Sequence, residues 1–188
     1  MQTKGIYRFD PDLNRYNGMS IAEIAKARKM SGFECLVDIA KKSGGVAHVL
    51  NHNYSNDQIV DSLIRHPATL FMTDANIAVQ GVQNPASFGN YPLILQTVRD
   101  KKLASLEETV HKMTGSVAER YHVRDRGLIK EGLAADITVF DYAKIKDNNT
   151  RTQTDKRPTG IEAVFINGFQ VVSKGKANGN LNAGVVVK

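Results

Sequence analysis

The run Ala68-Thr-Leu-Phe-Met-Thr-Asp74 constrains this chain more than any other stretch. Leu70, Phe71 and Met72 show no polar alternation, the pattern of a strand buried on both faces of a parallel sheet. The run then ends abruptly on a carboxylate. A strand candidate at Val46–Leu50 and a helix from Asn56 to about His66 precede it, the helix stopped because Pro67 disfavours helical backbone in the residue before it. Strand, helix and strand within about 30 residues form a βαβ unit, which implies a parallel sheet and a right-handed crossover. Where such strands close into an α/β barrel, their C-terminal ends carry the chemistry, so Asp74 reads as a metal ligand or proton acceptor. On position alone a helix N-cap or turn aspartate is the plainer reading, because Asp is common after strands.

Length limits the architecture. The 188 residues can bury a good core as one domain, or as one and a small second, but a complete (β/α)8 barrel needs at least about 200 to 250. A hydrophobic content of 41% and a charged content of 23% are those of an ordinary globular protein. No apolar run approaches the roughly 18 to 20 residues that span a bilayer, and the first residues lack a signal-type segment. The expectation is a cytoplasmic protein without a membrane partner. The single cysteine, Cys35, excludes an internal disulfide framework and sits in an apolar helical pattern, so it reads as core. The net charge of +6 comes from scattered Lys and Arg rather than a basic run interleaved with aromatics, and nucleic acid is not an expected partner.

Along the chain, residues 1 to 19 show no period and read as a loop or the remnant of something preceding. Ser20-Ile-Ala-Glu23 fits a capping box opening a helix to about Lys29. A second helix, Phe33 to Lys42, is expected to bury Phe33, Leu36, Val37 and Ala40 and to stop before Ser43-Gly-Gly45. The helix before Pro67 is expected to turn Ile59, Leu63 and Ile64 inward. Ala75 to Asn90 reads as a long loop, followed by helices from Pro92 to about Lys101 and from Leu106 to about Tyr121, the latter capped by Ser105. From Gly127 the character changes. Asp136–Asp141 is a short strand, and Ile161–Ile166 runs through Asn167-Gly168 into Phe169–Val172. Asn-Gly between two apolar runs signals a two-residue hairpin, because a type I′ turn needs positive φ at both central residues.

Two of these stretches carry a resemblance. Arg126-Gly-Leu-Ile-Lys-Glu-Gly-Leu-Ala-Ala-Asp-Ile-Thr-Val-Phe-Asp141, followed by Ile161-Glu-Ala-Val-Phe-Ile-Asn-Gly-Phe-Gln-Val-Val172, resembles the C-terminal end of the metal-dependent amidohydrolases. Within that superfamily, Ser20–Asp74, Phe88-Gly89-Asn90-Tyr91-Pro92 and the Leu106–Arg120 helix are most similar to the N-acyl-D-amino-acid deacylases (D-aminoacylases). The resemblance implies an α/β fold: C-terminal βα units of an incomplete (β/α)8 barrel over residues 1–125, and part of a small β-sandwich over 126–188. It implies hydrolysis of an acyl C–N bond by a metal-activated water, with zinc as the metal and an N-acyl amino acid or related amide as substrate.

Of the family's metal-site residues only the last-strand aspartate is matched, by Asp74, which the resemblance makes both metal ligand and proton acceptor. A catalytic zinc needs about three protein ligands, and Asp74 alone cannot hold it. A substitute site from His48, His52 and Asp74 is an alternative. Asn51, His52 and Asn84 are substrate-pocket candidates. The family's His-Pro-Arg, whose arginine can pair with a substrate carboxylate, reads Asn84-Pro85-Ala86 here, so Ala86 replaces that arginine. Three functions are therefore weighed: an enzyme portion inactive without a separate N-terminal amidohydrolase portion, a non-catalytic binding or assembly protein, and a chain catalytic on its own. Exposed strand edges and apolar faces add an expectation of self-association.

Overall fold

The structure, a computed structural model, describes residues 2–4, 11–45, 47–50, 56–75, 77, 83–150, 153–179 and 182–187. The chain forms two compact units that interleave along the sequence: Met1–Asp57, Asp74–Gly89 and Asn149–Arg157 make one, and Gln58–Thr73, Asn90–Asn148 and Pro158–Lys188 the other. Among the described residues no helix is long and apolar enough to cross a membrane.

In the first unit, β1 (Gln2–Lys4) pairs antiparallel with β2 (His48–Leu50), Thr3 opposite Val49. The first residues therefore do not form only a loop. A short helix, α1 (Pro11–Asn14), leads to α2 (Ile21–Ala27) and α3 (Gly32–Lys42). Both longer helices start on full capping boxes, Ser20 with Glu23 and Ser31 with Glu34, which satisfy backbone N–H groups that the first turn leaves without partners. Leu13, Tyr16, Ile21, Ile24, Cys35 and Ile39 form the core. Cys35 is buried as expected, but Phe33 is 77% exposed. At 100° per residue, Phe33 lies roughly opposite the Cys35/Ile39 stripe that meets α2, so the expected face was rotated. At the end of α3, the buried Ser43 hydroxyl donates to the Ala40 carbonyl and accepts from the Ala47 N–H, turning the chain toward β2.

The second unit is built on a cluster of Ile64, Phe71, Val98 and Leu103. Ile64 comes from α4 (Asp57–Arg65), whose last carbonyls, Ile64 and Arg65, accept from the buried Lys112 ammonium at 3.0 and 3.4 Å. Ile59 and Leu63, expected inward, are 53% and 55% exposed. Only one edge of the apolar stripe, at Ile64, meets the cluster.

Helix α5 (Ala86–Lys101) begins six residues before the expected Pro92, which lies inside it. Asn84-Pro85 is a helix start rather than a loop: Asn84 Oδ1 accepts from Ala86 N–H, and the Pro85 carbonyl accepts from Gly89 N–H. The expected Leu106–Tyr121 helix is two, α6 (Leu106–Met113) and α7 (Gly115–Arg120), broken at Thr114 with φ −130° and ψ −86°. Gly115 at the break allows close approach, since a Cβ there would stand 2.8 Å from His111 Nδ1.

Four antiparallel strands, β3 (Ile137–Phe140), β4 (Ile161–Ile166), β5 (Phe169–Ser173) and β6 (Lys176–Ala177), lie in sequence order. The expected hairpin forms with φ 49° at Asn167 and 82° at Gly168. Arg99 of α5 anchors the turn after β3, one guanidinium nitrogen donating to the carbonyls of Tyr142, Ala143 and Ile145 at 2.8, 3.2 and 2.9 Å. Every ladder among the described residues is antiparallel, so the parallel pairing expected between Val46–Leu50 and Ala68–Asp74 is not formed there. Residues 69–75 carry no ladder.

Candidate functional site

Asp74 ends the run that starts at Ala68. Phe71 is buried in the second unit's core and Met72 is exposed, so the run has one inner face rather than two. Two of its carbonyls accept from side chains of α5. Asn90 Nδ2 donates to the Met72 carbonyl at 2.7 Å, and the Tyr91 hydroxyl donates to the Phe71 carbonyl at 3.3 Å. Two residues on, Asp74 is exposed with φ 44°, in the left-handed region that Asp and Asn tolerate better than other non-glycine residues. From sequence, Asn90 and Tyr91 enter only as part of the Phe88–Pro92 stretch, with no role of their own. Both fall where the sequence reads as loop or helix edge, and only the start of α5 at Ala86 makes them neighbours on one helix.

Asn84 stands half-buried at the head of α5, its oxygen committed to Ala86 N–H at 3.2 Å. The segment around it is tied down within the first unit: Asn149 Nδ2 donates to the Pro85 carbonyl at 3.3 Å, and the buried Thr154 hydroxyl donates to the Gln83 carbonyl. Ala86 is the first residue of the helix. Asn51 and His52 lie outside the described residues, and of His48 only the backbone, in β2, is described. Among the described residues, no three His, Cys, Asp or Glu side chains come together as a metal site.

The second unit contains a half-open cavity of about 620 Å³, lined mainly by Leu95, Val110, Met113, Leu128, Phe140 and Ile161, with Glu107 and His111 among its polar groups. Asp74 is not among its lining residues. Among the carboxyls held below their usual range, Glu23 and Glu34 are lowered by hydrogen bonds from Ser20 and Ser31 in the capping boxes, and three others sit in structural ion pairs. The Arg28 guanidinium holds Asp38 down, Arg126 does so for Asp125, and Lys144 for Asp141. Arg126 also bonds Asp136, whose other oxygen accepts the Asn167 N–H at 2.8 Å, so this network braces the hairpin.

The family described as "Amidohydrolase family" matches residues 16–172. The chain is 36% identical over 113 residues to an N-acyl-D-aspartate deacylase from Alcaligenes xylosoxydans xylosoxydans, covering 60% of this chain and 22% of the relative. It is 28% identical over 156 residues to a D-aminoacylase from the same organism, covering 82% and 31%. The crystal structure of an N-acyl-D-glutamate deacylase from Bordetella bronchiseptica, complexed with zinc and a phosphonate inhibitor that mimics the tetrahedral intermediate, superposes with a TM-score of 0.72. Identity there is 22%, covering 87% of this chain and 33% of the other, a likeness of fold. The chain thus spans between about a fifth and a third of the length of these proteins.

Proposed function

This chain belongs to the amidohydrolase family, and on that premise we propose that it supplies the C-terminal part of a hydrolase cleaving the acyl C–N bond of an N-acyl-D-amino acid or a related amide. In this reading residues 1–125 are C-terminal βα units of a (β/α)8 barrel and 126–188 are strands of its β-sandwich. Asp74 is the acid–base group. The observation that carries the reading is the state of Asp74: an exposed carboxylate held in a left-handed turn directly after an anchored segment, within a matched family region. Its carboxylate accepts a proton from the water that attacks the amide carbonyl and passes it to the leaving nitrogen.

The zinc implied by the family does not fit the described residues of this chain, which bring no three ligands together. The reading assigns the metal's histidines to the remainder of the barrel, on the same polypeptide or on a separate chain, and no step is written through the ion. The same observation favours a second reading, a non-catalytic binding or assembly protein that retains the fold.

The test is complementation. The chain is coexpressed with the N-terminal portion of a D-aminoacylase-type relative, and release of free amino acid from N-acetyl-D-aspartate, N-acetyl-D-glutamate and N-acetyl-D-methionine is followed. Hydrolysis that neither part shows alone, and that Asp74→Asn removes, is the expected outcome. A stable complex with no hydrolysis of any of the three would favour the binding reading.

A further inference from the structure

Two adjacent residues of α5 hold the run into Asp74. Asn90 makes the stronger bond, its amide nitrogen 2.7 Å from the Met72 oxygen, while Tyr91 stands 3.3 Å from that of Phe71, at the long end for a hydroxyl donor. The helix behind them is firmly placed. Val98, two turns further on, is 1% exposed in the core that also contains Phe71, and Arg99 donates to three carbonyls of the turn after β3. A carbonyl fixed by a rigid helix fixes its peptide plane, and two residues later the backbone must enter a conformation with φ 44°. For an L-residue the left-handed region costs about 1–2 kcal/mol, less for Asp, and persists where the surroundings impose it.

We propose that Asn90, with Tyr91 in a lesser part, is a positioning residue for Asp74. By holding the Met72 carbonyl it sets the direction in which the chain enters the left-handed turn, and with it the stance of the carboxylate. Asn90 touches no reacting atom. Its role is that of a donor, and the catalytic consequence rests on the hydrolase reading above.

Two variants separate a donor from a filler of space. Asn90→Ala removes the side chain. Asn90→Asp keeps the shape but, ionised at neutral pH, is an acceptor only and cannot bond a carbonyl. In the isotope-labelled chain, the intraresidue amide-to-Hα NOE reports positive φ, and Asn167, left-handed in the hairpin, serves as internal reference. Both variants should lower the Asp74 NOE to the level of ordinary residues and leave that of Asn167 unchanged. An Asp74 NOE unchanged in both overturns the proposal.

In the complemented enzyme both variants should lower kcat about tenfold, a rise of roughly 1.4 kcal/mol in the activation barrier, with KM within twofold. An unchanged kcat overturns the catalytic part. If the wild-type mixture shows no hydrolysis while the NOE changes as expected, the positioning stands and the hydrolase reading fails.

Discussion

Asp74 and Asn167 are both non-glycine residues in the left-handed region, with φ 44° and 49°, yet they are held there by different means. Asn167 sits between β4 and β5, where Ile166 pairs with Phe169 and the following Gly168 completes the turn. The ladder on both sides imposes the conformation, reinforced by the Asp136 carboxylate on its N–H and by its own amide, which donates to the Ala183 carbonyl at 2.6 Å. Asp74 has no ladder. Among the described residues, the carbonyl two residues before it is bonded from a helix 18 residues further along the chain. One turn is specified by its own dipeptide, the other by a distant helix, and such turns respond differently to substitution.

The largest effect expected is at Asp74. Asp74→Asn retains tolerance of left-handed backbone but cannot accept a proton, so in the complemented enzyme it should lower activity about 10²- to 10⁴-fold while the thermal melt of the chain stays in place. A melt that drops with the activity would make Asp74 a structural residue and remove the contrast with Asn167.

Gly127→Ala probes a third left-handed position, φ 91°, where a new Cβ would stand 2.5 Å from the Ala118 Cβ and 3.2 Å from the Thr114 carbonyl. Backbone strain of about 1–2 kcal/mol adds to overpacking of about 1–3 kcal/mol, and the urea midpoint should fall accordingly. Gly168→Ala isolates the strain, because nothing lies within 4 Å of the added atom. It should cost only about 1–2 kcal/mol. Equal losses in the two variants would show that crowding at Gly127 is relieved elsewhere.

The smallest effect is electrostatic. Arg28 holds the Asp38 carboxyl below its ordinary value, so the folded state binds that proton less readily than the unfolded chain. The resulting stability is present above about pH 4, the ordinary carboxylate value, and is lost as pH falls through the lowered folded value. Comparing melts at neutral and acid pH, Asp38→Asn should remove part of the acid sensitivity. The Asp38 side chain is 29% exposed, which keeps the term modest. An acid slope identical to that of the unmodified chain would place the sensitivity elsewhere.

Interactions closed within a few residues were legible. The capping box at Ser20, together with the Asn167-Gly168 hairpin, followed from spacing alone, because donor and acceptor are neighbours in sequence. The burial of Cys35 also followed, yet the expected inner face of its helix did not, since Phe33-Leu36-Val37-Ala40 and Cys35-Leu36-Ile39 are both apolar stripes and only contact with α2 chooses between them. Asn84-Pro85 was ambiguous for a related reason. The same dipeptide opens a loop or a helix, and the bonds that decide come from Asn149 and Ala86.

By itself, then, the sequence determined the family, the turn chemistry of the hairpin and the candidacy of Asp74, all of which are written in short motifs. The tertiary structure decided which helix faces are buried, that Arg99 anchors the turn after β3, and that Asn90 and Tyr91 bond the carbonyls ahead of Asp74. These pairs are 18 to 46 residues apart. A hydrogen bond at that separation has no local pattern, because it depends on where two elements meet rather than on what either one is.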